Sequence, residues 1–199
     1  PLESINALLP EDISVQHVAI DPTGEFHATV MATSRRYRYC IYNSRTATCW
    51  VPENAVWIHR PLDMALMQTA SDYLLGEHDF SSFQCMKREV KLNTISPVCN
   101  ITKAKWSIEA AVMTTPELLC FDIEANRFLY KMVRSIVGTL LKVGHGELPP
   151  EAILEILEQK DRRQAWSSAP ARGLTMMGAS YPAKYNPILS LSERENVLV

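Results

Sequence analysis

Two hydrophobic periods divide the chain. Tyr37, Tyr39 and Ile41 alternate with Arg36, Arg38 and Cys40, and Ala104, Trp106, Ile108, Ala110 and Val112 alternate with Lys103, Lys105, Ser107 and Glu109. Period two sets each group on one face of a β-strand. Beyond Thr115-Pro116, Leu119, Phe121 and Ile123 alternate against Cys120, Asp122 and Glu124, which predicts an antiparallel partner for the strand before it. Elsewhere the spacing is helical. Phe128, Leu129, Met132, Val133, Ile136, Val137, Leu140 and Leu141 form an apolar stripe that predicts a long helix over about Asn126–Val143, ended by Gly144. Pro61-Leu62-Asp63 opens a second helix running to about Leu75, with Asp63 as N-cap and Gly76 just past its end. A shorter helix from Pro150 to about Lys160 and a last strand near Leu174–Tyr181 complete the pattern.

Ahead of these elements, residues 1 to about 30 predict a short helix, a turn and a strand near Ser14–Ile20, closed by Asp21-Pro22-Thr23-Gly24. A strand over about Ser34–Asn43 follows, then an irregular stretch containing Pro52 and Pro61. Strand–helix–strand–strand–helix–helix–strand with antiparallel hairpins is an α+β pattern, a mostly antiparallel sheet with helices packed on one face. Three segments result: 1–30, 31–185 and a tail over 186–199. With 199 residues, 47% hydrophobic and 21% charged, the chain has room for one core with an appendage.

Charge and cysteine usage narrow the classes. A net charge of −2 counts against a non-specific polyanion binder, so any nucleic-acid contact must use a local patch. Five scattered cysteines without a C-x-x-C argue against a disulfide framework or a zinc knuckle and fit a reducing, cytoplasmic setting. The five histidines show no H-x-x-x-H or H-E-x-x-H spacing, so a protein-bound metal is not expected. Apolar runs stay far below the roughly 20 residues of a membrane span.

Candidate chemistry concentrates at Ser34–Asn43, where ten residues hold three arginines and three tyrosines. Tyrosine offers a ring for stacking on a base, and Arg35, Arg36 and Arg38 offer charge for phosphate. An ordinary strand with solvated arginines has the same composition. On the long helix the stripe leaves Arg127, Lys131 and Arg134 off the buried face, with Tyr130 one turn before Arg134. A solvated basic face reads the same way. Lys87, Arg88, Lys91, Lys131 and Arg172 are further possible phosphate contacts, each equally at home as a surface charge. Leu174, opening a strand, reads by itself as core.

Five blocks carry a resemblance. In order they are Ile5-Asn6-Ala7-Leu8-Leu9-Pro10 with Asp12-Ile13; Phe26-His27-Ala28 with Ala32-Thr33-Ser34-Arg35-Arg36-Tyr37-Arg38-Tyr39; Leu75-Gly76-Glu77-His78-Asp79-Phe80-Ser81-Ser82-Phe83; Phe128 through Gly138; and Ala169-Pro170-Ala171-Arg172-Gly173-Leu174. Spanning about residues 5 to 182, they resemble the TruA-type tRNA pseudouridine synthases. The resemblance implies the pseudouridine synthase fold and the isomerisation of uridine to pseudouridine in the tRNA anticodon stem-loop, at positions 38 to 40. It also implies a homodimer that binds tRNA across two subunits and needs no metal or organic cofactor. Tyr37 matches the tyrosine that packs on the target uracil, Leu174 the leucine over its other side, and Arg134 the arginine of the catalytic set that ion-pairs with the nucleophilic aspartate. Such a pair keeps the carboxylate ionised. Asp79 and His27 match structural hydrogen-bonding positions.

The family carries that aspartate in a G-R-T-D-x-G-V-H-A motif ahead of the first block, and these 199 residues contain no such motif. The chain is therefore expected to be the C-terminal two-thirds of a synthase, inactive by itself. Thr29 and Cys99 stand where the family usually has arginine, and Thr175-Met176-Met177-Gly178 replaces its usual aromatic and branched residues. Two other classes stay open: a non-catalytic module that binds structured RNA, and a plain α+β scaffold. Tyr37, Arg134 and Leu174 must share one cleft if the resemblance carries function.

Overall fold

A computed structural model describes residues 2–21, 23–49, 51–85, 96–109 and 117–185. It divides into two compact units, Ser34–Ala179 and the pair of segments Pro1–Thr33 and Ser180–Val199. The division thus falls at Thr33 and Ser180, where 30 and 185 were expected. Backbone pairing explains this, because Thr33 N donates to Ser180 O at 2.8 Å and Phe26 packs its ring on Tyr181 and Tyr185, 5.1 Å from each. The expected tail, 186–199, lies outside the described residues.

The smaller unit opens with helix α1, Leu2–Asn6. The strand expected at Ser14–Ile20 does not form. Instead the Asn6 side chain binds Val15 through both its N–H and its carbonyl, at 2.8 and 3.0 Å, and the residues around Val15 carry no ladder. Asp21 closes the following turn by accepting from Thr23 and Phe26.

In the larger unit the sheet runs in the order β2-β1-β5-β4-β3, from β1 (Ser34–Asn43), β2 (Ala55–Ile58), β3 (Gly76–Asp79), β4 (Val98–Glu109) and β5 (Leu118–Ala125). A sixth strand, β6 (Leu174–Ser180), also pairs with β1. The β1–β5, β4–β5 and β3–β4 ladders are antiparallel, and β1–β2 is parallel. The fold is the α+β arrangement that the pattern implied. Of the residues assigned to β4, Ala110 and Val112 lie outside those described. Strands β2 and β3 were not foreseen, because four residues are too short for a period to register.

Helix α2, Met64–Asp72, starts where the sequence placed it: the Asp63 carboxylate accepts from Leu66 N at 3.0 Å. Gly76, with φ +94°, turns the chain into β3. Gln68 of α2 covers the outer edge of β4, accepting from Trp106 N at 2.8 Å and donating to Ala104 O at 3.2 Å. Edge groups that would otherwise be open are thereby satisfied. Tyr39, Ile41, Phe121, Ile123 and Trp106 face the helices and form one core with Met67, Leu74, Ile136 and Leu140.

Helix α3 spans Met132–Gly144, so its start lies six residues later than expected. Asn126 continues the sheet instead, exchanging hydrogen bonds with Asn100, and Lys131 takes a left-handed φ of +59° that blocks a continuous helix. Tyr130 is therefore not on the helix with Arg134. From Met132 onward the helix is buried almost all round, since Ser135, Gly138 and Thr139 are buried as well as its apolar stripe. Helix α4, Ala152–Gln159, packs below against β3 and the 3-10 turn Ser81–Phe83.

Gly138 admits the backbone of residues 167–169 against α3, where a Cβ would overlap the Ser167 carbonyl oxygen. Overpacking at such a site costs about 1–3 kcal/mol. Gly138→Ala is expected to lower the stability of the chain by that amount, read from the urea midpoint at unchanged m-value.

Candidate functional site

Arg134 is the third residue of α3, and two backbone contacts fix it. Its Nε donates to Ala169 O at 2.6 Å, while Ala169 N donates to Arg134 O at 2.9 Å. Tyr37 comes from β1 and sets its ring edge-on to Phe128, with centroids 5.2 Å apart and planes at 88°. Leu174 is the first residue of β6, which runs beside β1. Together Tyr37, Arg134, Leu174, Phe128 and Lys131 line a cavity of about 100 Å³. Residues 37, 134 and 174 are thus brought to one place by three different elements.

Tyr39, two residues along β1, is wholly buried and donates its hydroxyl to Pro170 O at 3.0 Å. Burial pushes its phenol up, and the Arg134 charge pulls it partly back. The first tyrosine of the pair therefore reaches the cavity while the second anchors the segment that leads to Leu174.

Apart from Lys131, the other basic residues named from the sequence and among those described lie away from this cavity. Arg36 and Arg38 sit on the opposite face of β1, lining a separate hollow with Lys103, Asp122 and Glu124. Arg38 grips Asp122 with Nε–Oδ1 at 2.8 Å and Nη2–Oδ2 at 3.1 Å, and it also binds Glu109. Lys103 adds a 3.4 Å contact to Asp122. Arg35 reaches Asn126 O, Arg172 reaches Glu53 O, and Lys131 places its ammonium 5.4 Å from the Tyr130 ring centroid. Lys87, Arg88 and Lys91 lie outside the described residues.

Arg127 donates to the carbonyls of Ser96 and Val98, on the approach to Cys99. Cys99 is fully buried, and burial raises its thiol against the opposing charge of Arg127. A guanidinium thus lies beside the position where the family pattern has arginine, contributed from another segment. His27 accepts from the N–H groups of Thr29 and Val30, and Asp79 accepts from both the N–H and the hydroxyl of Ser81. Both have structural bonds of the kind their blocks suggested. Two residues that shape the site, one lining the cavity and one holding Arg134, escaped the sequence reading. Phe128 looked like one more member of a helical stripe, and Ala169 acts through its backbone, which no side-chain motif announces.

A family model described as tRNA pseudouridine synthase matches residues 70–182. Among curated proteins, the chain is 41% identical over 180 residues to tRNA pseudouridine synthase A of Haemophilus ducreyi, covering 90% of this chain and 65% of that protein. It is 40% identical over 188 residues to the protein of the same name from Klebsiella pneumoniae, covering 94% and 66%. Against the Francisella tularensis subsp. holarctica protein it is 40% identical over 178 residues, covering 89% and 65%. The chain belongs to the tRNA pseudouridine synthase family. It spans about 65% of the length of the relatives it matches.

The ion-pair face gives a pH test. The hydrogen bond from Arg38 lowers the Asp122 carboxyl below its ordinary value, against the opposing effect of burial and with help from the Arg38 and Lys103 charges. A depressed carboxylate stabilises the fold above its unfolded value of about 4, and that gain is lost as pH falls through the folded value. Asp122→Asn is expected to cost about 1 kcal/mol at pH 7, the scale of a partly screened pair. Urea midpoints of variant and parent should converge near pH 2.

Proposed function

We propose that this chain forms the base-holding side of a tRNA pseudouridine synthase active site, and that the target is a uridine of the anticodon stem-loop. The observation that carries the reading is the meeting of Tyr37, Arg134 and Leu174 around one cavity. A ring on one side and an aliphatic side chain on the other suit a flat base taken out of its stack. Isomerisation breaks the N-glycosidic bond, turns the freed uracil and rejoins it through C5. The site must therefore keep the detached base from diffusing away and exclude water while it turns. Arg134 supplies the cation for a carboxylate that attacks or deprotonates the sugar, and its two bonds to Ala169 pre-aim the guanidinium. No residue of this chain is assigned as that carboxylate, and no step here requires a metal or organic cofactor.

The remaining parts of the proposal follow the family: a homodimer in the cytoplasm that holds tRNA across two subunits, with Arg35, Arg36, Arg127 and Lys131 contributing phosphate contacts. Arg38 joins that set as its weakest member, because its guanidinium is already engaged by Asp122 and Glu109. Among the described residues no helix is long and apolar enough to cross a membrane. The absence of Gly-Arg-Thr-Asp from the 199 residues favours a second reading for the chain taken alone, a module that binds structured RNA without turnover.

Tritium release from C5-labelled tRNA distinguishes these outcomes. The 199-residue chain is expected to release none. Joined behind a family segment bearing Gly-Arg-Thr-Asp, it is expected to turn over, and Arg134→Ala in that fusion to slow release about 10²–10³-fold, the scale for a lost electrostatic partner. Release by the chain alone, or a fusion indifferent to Arg134→Ala, would refute the assignment. In anisotropy titrations with an anticodon stem-loop RNA, Tyr37→Ala should weaken binding by about 1–3 kcal/mol, the worth of one stacked base.

A further inference from the structure

Cys85 follows the 3-10 turn Ser81–Phe83 and lies half-buried, its N–H donating to Tyr130 O at 3.0 Å. Uridine isomerisation needs nothing from it. Yet its sulfur has a cation and a hydroxyl beside it: Arg162 Nη2 at 3.5 Å and Ser168 Oγ at 3.5 Å. Arg162 is aimed by its own bond to Ala165 O at 2.8 Å. A third group, the Ser135 hydroxyl of α3, is near enough to the same sulfur to favour its charged form. Ser135 is fully buried, and its Oγ has no hydrogen-bond partner among the described residues. A buried hydroxyl left unpaired is costly, and a thiol sulfur is a weak acceptor. An oxygen bonded to that sulfur would give Ser135 a strong acceptor.

Partial burial pushes the Cys85 thiol up, but the hydrogen bonds from Ser168 and Arg162, the Arg162 charge and Ser135 outweigh it, leaving the thiol below the ordinary cysteine value. Cationic, partly exposed surroundings of this sort separate reactive cysteines from structural ones. Cys40, Cys99 and Cys120 are buried, and Cys49 is exposed.

We propose that Cys85 is a peroxide-reactive thiol whose oxidised form is held by Arg162, Ser168 and Ser135. The thiolate sulfur attacks one oxygen of hydrogen peroxide. An S–O bond forms as the O–O bond breaks, giving a sulfenic acid and hydroxide, and the hydroxide takes the sulfenic proton to become water. Sulfur loses two electrons to the peroxide, and the product is a sulfenate. Its oxygen accepts from Arg162 and the two serine hydroxyls. Ser135 and Ser168 are the chain neighbours of Arg134 and Ala169, so the added oxygen bears on the hydrogen-bonded pair that places the Arg134 guanidinium at the cavity. That consequence rests on the proposed function; the modification does not.

The test treats the 199-residue chain with hydrogen peroxide in the presence of dimedone, then maps labelled peptides by mass spectrometry. Cleavage after Glu53 and Glu77 puts Cys49 and Cys85 on separate peptides. Dimedone is expected on Cys85 ahead of Cys49. The pH midpoint of Cys85 alkylation by iodoacetamide should lie lower in the folded chain than in urea. Arg162→Gln should slow Cys85 labelling about tenfold at neutral pH, because the thiolate loses the cation beside it. Should that variant not fold, the folded-against-urea comparison in the parent still decides. Labelling of Cys49 first, or a Cys85 midpoint unchanged by unfolding, would overturn the proposal. Both leave the uridine-handling residues untouched, so failure here is separable from failure of the synthase reading.

Discussion

The close approach of α3 to the backbone of residues 167–169 organises the rest of this structure. It requires Gly138, since any Cβ there would occupy the space of the Ser167 carbonyl oxygen. Once that segment lies against the helix, Ala169 exchanges two hydrogen bonds with Arg134, and the next carbonyl, of Pro170, receives the Tyr39 hydroxyl. The chain then enters β6 at Leu174 beside β1. One tight backbone contact thus fixes a guanidinium, an aromatic strand and an aliphatic side chain relative to one another. It also explains why the helix is buried nearly all round when its sequence reads as one-sided.

The sheet divides its labour by face. On the helix side, Tyr39, Ile41, Phe121 and Trp106 supply burial, which carries most of the stability of such a fold. On the other side, register alone sets Arg36 opposite Glu124 and Arg38 opposite Asp122, with Lys103 opposite Glu124 on the next strand. The strand that looked most like a basic surface therefore has much of its charge answered within the sheet. This reconciles a chain of net charge −2 with an arginine-rich strand. The cavity side of β1 depends on position more than on charge, because Tyr37 meets Arg134 and Leu174 there.

Several elements were legible in the residues themselves. The alternation over Ser34–Asn43, the β4–β5 hairpin, the Asp63 cap and the apolar stripe from Met132 onward all express local rules of period and capping. The blocks that resemble the family contain Tyr37, Arg134 and Leu174, three of the residues that line the cavity. Boundaries were less legible where tertiary partners competed with local preference. Asn126 follows the sheet because Asn100 binds it, although its neighbours have helical spacing. Ser14–Ile20 has a strand's composition but pairs with no strand among the described residues, and Asn6 holds Val15 instead.

Sequence by itself determined the α+β class and the family, because period, capping and motif order are properties of neighbours along the chain. Tertiary structure decided which charges were free to act and which side chains converged. Arg38 and Arg134 are both arginines beside tyrosines in the sequence or its expected elements. One is paired across a ladder, and the other is held over a cavity by a backbone carbonyl more than thirty positions away. Such partners are selected by strand register and by how closely two backbones can approach, and neither quantity is written in any local window of residues.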